Sequence, residues 1–155
     1  MLIIALGGYS QSDISKTFSG IKKIKLSTAS GDSEIKKSSN AEVTVQISYT
    51  YSDDNFDPVI EQDGDMLILK EKFKNDRSSN GSSSWDLTVP DNIEISFNSG
   101  SGDLEARGLI VDLSSNTGSG DVEVSNLTGD LSTNSGSGDV EIDEYKGDLK
   151  INTGS

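Results

Sequence analysis

Apolar and polar residues alternate with a period of two along most of this chain, and from residue 91 onward the alternation itself recurs every 18 residues. Successive copies read Gly102-Asp103-Leu104-Glu105-Ala106, Gly120-Asp121-Val122-Glu123-Val124 and Gly138-Asp139-Val140-Glu141-Ile142. Apolar residues two apart share one face of a strand, and the glutamate between them faces the other way. Half a repeat later come Asp112-Leu113, Gly129-Asp130-Leu131 and Gly147-Asp148-Leu149, so each repeat is two nine-residue halves, a turn followed by a short strand. The step holds without insertion through three Gly-Ser-Gly-Asp phrases beginning at Gly100, Gly118 and Gly136, and Gly154-Ser155 opens a further copy.

A fixed short period marks units that cannot bury an apolar face alone and must lie on their neighbours. Two strands and two corners in 18 residues predict one coil of a β-solenoid, with successive coils stacked parallel about 4.8 Å apart. Like residues then pile into ladders. Asn98, Asn116, Asn134 and Asn152 form one, whose side-chain amides can bond along the stack. Glycines at the corners are expected to supply positive φ, and Leu109, Leu127 and Tyr145 to fill the corners between halves.

The rest of the chain is less regular. Ile24-Lys25-Leu26-Ser27 and Val43 to Tyr49 alternate as half-buried strands. Between them Ser30-Gly31-Asp32-Ser33-Glu34-Ile35 is a weaker version of the later phrase, so the repeat begins early and is interrupted. Residues 58–70 read as a hairpin turning at Asp63-Gly64, and residues 75–84 as a polar loop. Trp85 to Val89 is a strand closed by Pro90, which cannot donate to a ladder. No helical stripe is present. Three segments result: 1–17, 18–90 as an irregular β portion that starts the solenoid, and 91–155 as regular repeats. Residues 1–8 are apolar and read either as the remnant of a secretion signal or as an ordinary first strand. A stack ending two residues into a new copy is expected to be a truncated piece of a longer protein, or to associate end to end through its open last coil.

The net charge is −13, and residues 78–155 hold only Arg107, Lys146 and Lys150 against fourteen acids. Such a surface repels phosphate backbones and anionic headgroups, so nucleic acid and anionic membranes are excluded as partners. No stretch approaches the length of a membrane span. With no Cys and no His, disulfides, the usual zinc sets and Ser-His or Cys-His catalysis are excluded.

The Thr/Ser-Gly-Ser-Gly-Asp-Val-Glu-Val phrase, the Gly-Asp-Leu at mid-repeat and the Trp85-Asp-Leu-Thr-Val-Pro90 lead-in together resemble the bacterial "putative adhesin" family of β-strand repeat proteins, the DUF4097 type. The resemblance covers roughly Phe18 to Ser155. It implies a right-handed parallel β-solenoid, exported or envelope-associated, with no established enzyme activity and no catalytic or ligand residues to carry over.

The repeated acids are the sharpest chemical candidates. Asp103, Asp121 and Asp139 would stack, as would Glu105, Glu123 and Glu141, and Asp112, Asp130 and Asp148. Carboxylates one coil apart repel by about 1 kcal/mol per pair even in water. Either corner aspartates accept backbone N–H groups in Asx-type turns, or calcium bridges Asp103, Asp121 and Asp139. Calcium-binding β-rolls place one residue between Asp and the apolar position, whereas here Leu104, Val122 or Val140 follows directly. Glycoside hydrolysis by paired acids needs two unequal environments around a cleft, which identical repeats do not offer. Exposed aromatics among Tyr49, Tyr51, Phe56, Phe73 and Trp85 could stack on sugar rings, or else plug the core. Gly-Ser-Gly-Asp is not a nucleotide loop, because no helix or lysine follows it. The expectation is a non-enzymatic structural or adhesin-like protein without a cofactor, presenting acidic and polar ladders to a surface ligand or protein, with glycan among the candidates. Its alternatives are a calcium-stabilised β-roll and a carbohydrate-binding or processing module.

Overall fold

The computed structural model describes residues 12–74 and 81–154. They form thirteen strands and no helix: β1 Ser12–Phe18, β2 Lys23–Thr28, β3 Asp32–Lys37, β4 Val43–Tyr49, β5 Phe56–Asp63, β6 Met66–Phe73, β7 Ser83–Val89, β8 Ile93–Ser99, β9 Leu104–Thr117, β10 Val122–Thr128, β11 Leu131–Ser135, β12 Val140–Lys146 and β13 Leu149–Thr153.

Pairing follows the sequence period. On a first sheet, β10 runs parallel between β9 and β12, with Val122 opposite Leu104 on one side and Val140 on the other. On a second sheet, β11 runs parallel between β9 and β13, with Leu131 opposite Leu113 and Leu149. Each of these pairings steps by 18 residues, and β9 contributes its first half to one sheet and its second half to the other.

The earlier strands extend both sheets out of chain order. β3 lies between β9 and β7, and β2 between β8 and β6, all parallel. Strands β2 and β3 are therefore threaded between two layers made later in the sequence, β6–β7 on one side and β8–β9 on the other. Antiparallel strands follow at the margin, β4 and β1 on the first sheet and β5 on the second. The β5–β6 hairpin spans 56–73 and turns at Gly64, φ 63°. It is longer than the 58–70 expected. Of the expected 75–84 loop, residues 75–80 lie outside the described residues, while Ser83 and Ser84 already pair with Tyr49 and Ser48 in β7. Residues 1–11 of the expected first segment also lie outside the described residues.

Residues of both sheets share one core cluster. Ile24, Leu26, Ile35, Leu67, Leu69, Trp85, Phe97, Leu104, Val122, Val124 and Leu131 are all buried. Volumes compensate between rungs: Ser33 sits beside Trp85, and Ser115 beside Phe97. The side chains of Ser33, Ser115 and Thr133 are buried without a hydrogen-bond partner. The core column runs out at β13, where Leu149 and Ile151 are 46% and 42% exposed.

The corner glycines divide into two kinds, and those of the mid-repeat corner, Gly129 and Gly147, have the positive φ expected. Among the described residues, positive φ falls at Gly20, Gly64, Gly108, Gly129 and Gly147, not at Gly102, Gly120 or Gly138. What those three require is space. A Cβ on Gly120 would lie 2.0 Å from the carbonyl oxygen of Gly102, and on Gly138 2.0 Å from that of Gly120. The left-handed corner lies instead at Gly108, Asn126 and Glu144, with φ of 69°, 53° and 53°, one residue before the buried Leu109 and Leu127 and the partly buried Tyr145.

Two stability measurements test this packing. Gly120→Ala drives a methyl into backbone and is expected to cost more than about 2 kcal/mol in denaturant unfolding; a loss within error would remove the close-approach argument. Thr133→Val keeps the shape and deletes a stranded hydroxyl, so it should raise stability by about 1 kcal/mol, and a drop in thermal midpoint would show that the hydroxyl has a partner.

Candidate functional site

Outward-facing residues form columns along both sheets because strands in parallel register place equivalent side chains above one another. On the first sheet the corner aspartates make a continuous chain. The N–H of Asp103 donates to Asp32 Oδ1 at 3.0 Å, that of Asp121 to Asp103 Oδ1 at 2.8 Å, and that of Asp139 to Asp121 Oδ1 at 2.8 Å. The carboxylates of Asp32, Asp103 and Asp121 thus each accept the backbone amide of the rung above. The same device recurs at mid-repeat, where Asp130 N–H donates to Asp112 Oδ1 at 2.9 Å. The described residues hold no group of three acids arranged to ligate a metal ion.

Beside that column stand Asp86, Glu34, Glu105, Glu123 and Glu141, opposite one another in register. Lys36 pairs with Glu34 at 3.0 Å, and Arg107 bridges Glu105 and Glu34. At the following rungs Ser125 and Asp143 occupy the position of Arg107. Asp86 has its carboxyl raised above the ordinary value, first by burial and then by the charge of Glu34.

On the second sheet three columns run side by side. Glu94, Asp112, Asp130 and Asp148 form the first; Ser96, Ser114 and Ser132 the second; and Asn98, Asn116, Asn134 and Asn152 the third. The asparagines are joined amide to amide, each Nδ2 donating to the Oδ1 below at 3.1, 2.7 and 2.7 Å. A groove of about 580 Å3 follows the acidic and serine columns, with Lys23 and Lys25 at one end and Lys150 at the other. A second of about 530 Å3 follows the asparagines along the glycine corner.

The corner itself is fastened by the Ser/Thr that precedes each Gly-Ser-Gly. Gly102 N–H donates to Ser99 Oγ at 2.8 Å, Thr117 Oγ1 donates to the Gly120 carbonyl at 2.9 Å, and Gly138 N–H donates to Ser135 Oγ at 2.9 Å. Corner amides also bond down the stack, Gly100 N–H to the Thr28 carbonyl and Gly118 N–H to that of Ser99.

Sequence reasoning missed Glu71. Its carboxylate accepts the Ala29 N–H at 2.8 Å, the Trp85 Nε1–H at 3.1 Å and the Ser83 hydroxyl. Ala29 occupies the corner position of Gly100, so Glu71 takes the place of a carbonyl from a rung below. Its one mark in sequence is its place in the inward alternation of β6, following Leu67 and Leu69.

The aromatic residues do not form an exposed platform. Tyr49, Tyr51, Phe56 and Trp85 are buried and Phe73 is partly buried. Tyr49, Tyr51, Phe56 and Phe73 stack in one group with centroids 4.8 to 5.2 Å apart, which removes them as sugar-stacking surface.

An all-β chain whose parallel strands repeat in register every 18 residues defines a stacked-strand repeat protein. The Toastrack DUF4097 family model matches residues 21–155, and the chain belongs to that family. No curated protein matches it. Solved structures similar to it include a "putative cell adhesion protein" from Clostridium sporogenes, 13% identical, covering 93% of this chain and 100% of that one with a TM-score of 0.46. Others are a "putative adhesin" from Bacteroides fragilis, 12% identical, covering 94% and 98% with a TM-score of 0.40, and a "putative lipid binding protein" from Parabacteroides distasonis, 16% identical, covering 91% and 96% with a TM-score of 0.36. No helix of the described residues is long and apolar enough to cross a membrane.

The raised carboxyl of Asp86 fixes the sign of a pH effect. A folded state that holds the proton more tightly than the unfolded chain draws stability from it below the ordinary value of 3.8, and loses that contribution as pH rises through the raised folded value. Asp86→Asn should therefore raise the thermal midpoint at neutral pH and change it little in strong acid. An equal shift at both pH values would mean that the charge is not the cause.

Proposed function

We propose that this protein is a non-enzymatic, adhesin-like component of the cell envelope or its surroundings, in which a right-handed parallel β-solenoid of about 18 residues per coil presents acidic and polar ladders to a surface or partner. The hand is the one that crossovers between parallel strands overwhelmingly take. The observation that carries the reading is the asparagine column. Four amides hydrogen-bonded head to tail over consecutive rungs fix a row of polar groups at constant pitch on a face with no catalytic asymmetry. Repeated presentation of weak contacts suits avidity, where each added rung raises effective concentration for the next. It does not suit turnover, which needs two titratable groups in unequal environments.

The partner is an exposed surface ligand or protein, with polyanions disfavoured by the charge of the repeat half. The decisive experiment is fractionation of the producing cells with an antibody to the chain, joined to protease treatment of intact cells. The protein should appear in the envelope fraction or the medium and be cleaved without lysis. Recovery only with the cytosolic fraction would overturn the reading, as would release of reducing ends when the purified chain is incubated with polysaccharides.

A further inference from the structure

We propose that the serine-floored groove on the second sheet binds a linear, uncharged glycan lying along the stack axis, with about one sugar unit per rung. This rests on the reading above that the outward polar columns face a partner, and it assigns the ligand class. The groove, of about 580 Å3, falls within the size range of built ligand sites. Its rung spacing of about 4.8 Å is close to the length of one extended hexose unit.

The unused hydrogen-bonding capacity of the face matches sugar hydroxyls, which both donate and accept. Each serine of the column Ser96, Ser114, Ser132 presents a hydroxyl that does the same. Asn116 spends one N–H on Asn98 and its oxygen on Asn134, which leaves a second N–H and a lone pair on the amide. Asp112 gives one carboxylate oxygen to the Asp130 amide and retains the other as an acceptor.

Charge selects among polymers. The acidic column repels a polyanion along the middle of the groove, while Lys23 and Lys25 at one end and Lys150 at the other oppose an extended polycation that must pass both. A neutral chain meets neither penalty. With the aromatic side chains of this region packed inside, affinity comes from repeated hydrogen bonds rather than ring stacking, so a single sugar binds too weakly to register and a four-unit chain is the shortest informative probe.

The test titrates the full chain with cellotetraose, N-acetylated chitotetraose, mannotetraose and maltotetraose at millimolar concentration, read by amide chemical shifts. At least one should move resonances of Ser96, Asp112, Ser114 and Ser132, which line the groove, while leaving the first sheet unchanged. Ser114→Tyr fills the groove and should weaken that binding at least about tenfold, whereas Ser125→Tyr on the outer face of the first sheet should not, with melting curves confirming that both variants fold. If Ser114→Tyr fails to fold, the shift map on the unmodified chain decides. The inference is overturned if no tetrasaccharide shifts these resonances, if Ser114→Tyr binds as the parent does, or if a heparin tetrasaccharide or spermidine takes the groove instead. A protein exposed on cells that binds none of the four sugars sinks this inference and leaves the adhesin reading intact; a strictly cytosolic protein that binds one does the reverse.

Discussion

The structure depends on one close approach: at every Gly-Ser-Gly corner the backbone of one layer rests on the carbonyl of the layer below. Gly102 stands on Gly31, Gly120 on Gly102 and Gly138 on Gly120, with a hypothetical Cβ 2.1, 2.0 and 2.0 Å from the oxygen beneath. No side chain fits there, so the corner sets the distance between layers. Once that distance is fixed, both sheets inherit the same pitch, and each outward side chain has an equivalent directly above and below it. The asparagine and aspartate columns follow from the corner, and their hydrogen bonds then reinforce the spacing that made them possible.

A stack held together in this way has the difficulty that its first layer has nothing beneath it. Here the chain solves it by returning. Strands β6 and β7 pass under β2 and β3, and β4, β5 and β1 close the margin in antiparallel fashion. Pro58 in β5 cannot donate to an added strand. Glu71 completes the corner by offering a carboxylate where later layers offer a carbonyl. The cost is long-range order: β2 cannot be held on both sides until β8 has been made, so contacts separated by 71 residues, such as Asp32 with Asp103, must form for the first rung to exist. Such non-local closure slows folding relative to a stack assembled in sequence order.

The regular half was legible because its signal is redundant. Leu104, Val122 and Val140 each carry the same instruction, and a reading of any one is corrected by the others. The period also pointed to the asparagine column and to backbone amides as the partners of the corner aspartates. The conformational role of the glycines was not legible, since sequence distinguishes neither a glycine needed for φ from one needed for space nor Gly108, Asn126 and Glu144 as members of one corner. The role of Glu71 was hidden for a different reason: its partners are Ala29, which follows β2, and Ser83 and Trp85 on β7, segments that only the out-of-order threading brings together. The fragment Ser30 to Ile35 did announce an early copy, but not that it would lie directly under Asp103 with five other strands, β4 to β8, between them in sequence.

The acidic columns divide into two kinds, and the difference explains how so much negative charge is tolerated. Neighbouring carboxylates at this spacing repel by about 1 kcal/mol in water-like surroundings. Asp32, Asp103 and Asp121 each accept the amide of the layer above, and this charge-assisted hydrogen bond fixes each carboxylate in place. The glutamates project from the middle of strands whose amides are spent on the ladder, and they have no such donor. At the lower rungs Lys36 and Arg107 stand in, as exposed ion pairs worth little individually but sufficient to break the column of like charge. At Glu123 and Glu141 the neighbouring positions are Ser125 and Asp143, so the repulsion there is relieved only by solvent and salt. The charge of the outer surface is therefore tied to backbone amides where aspartates line the corner and left to solvent where glutamates line the upper strands.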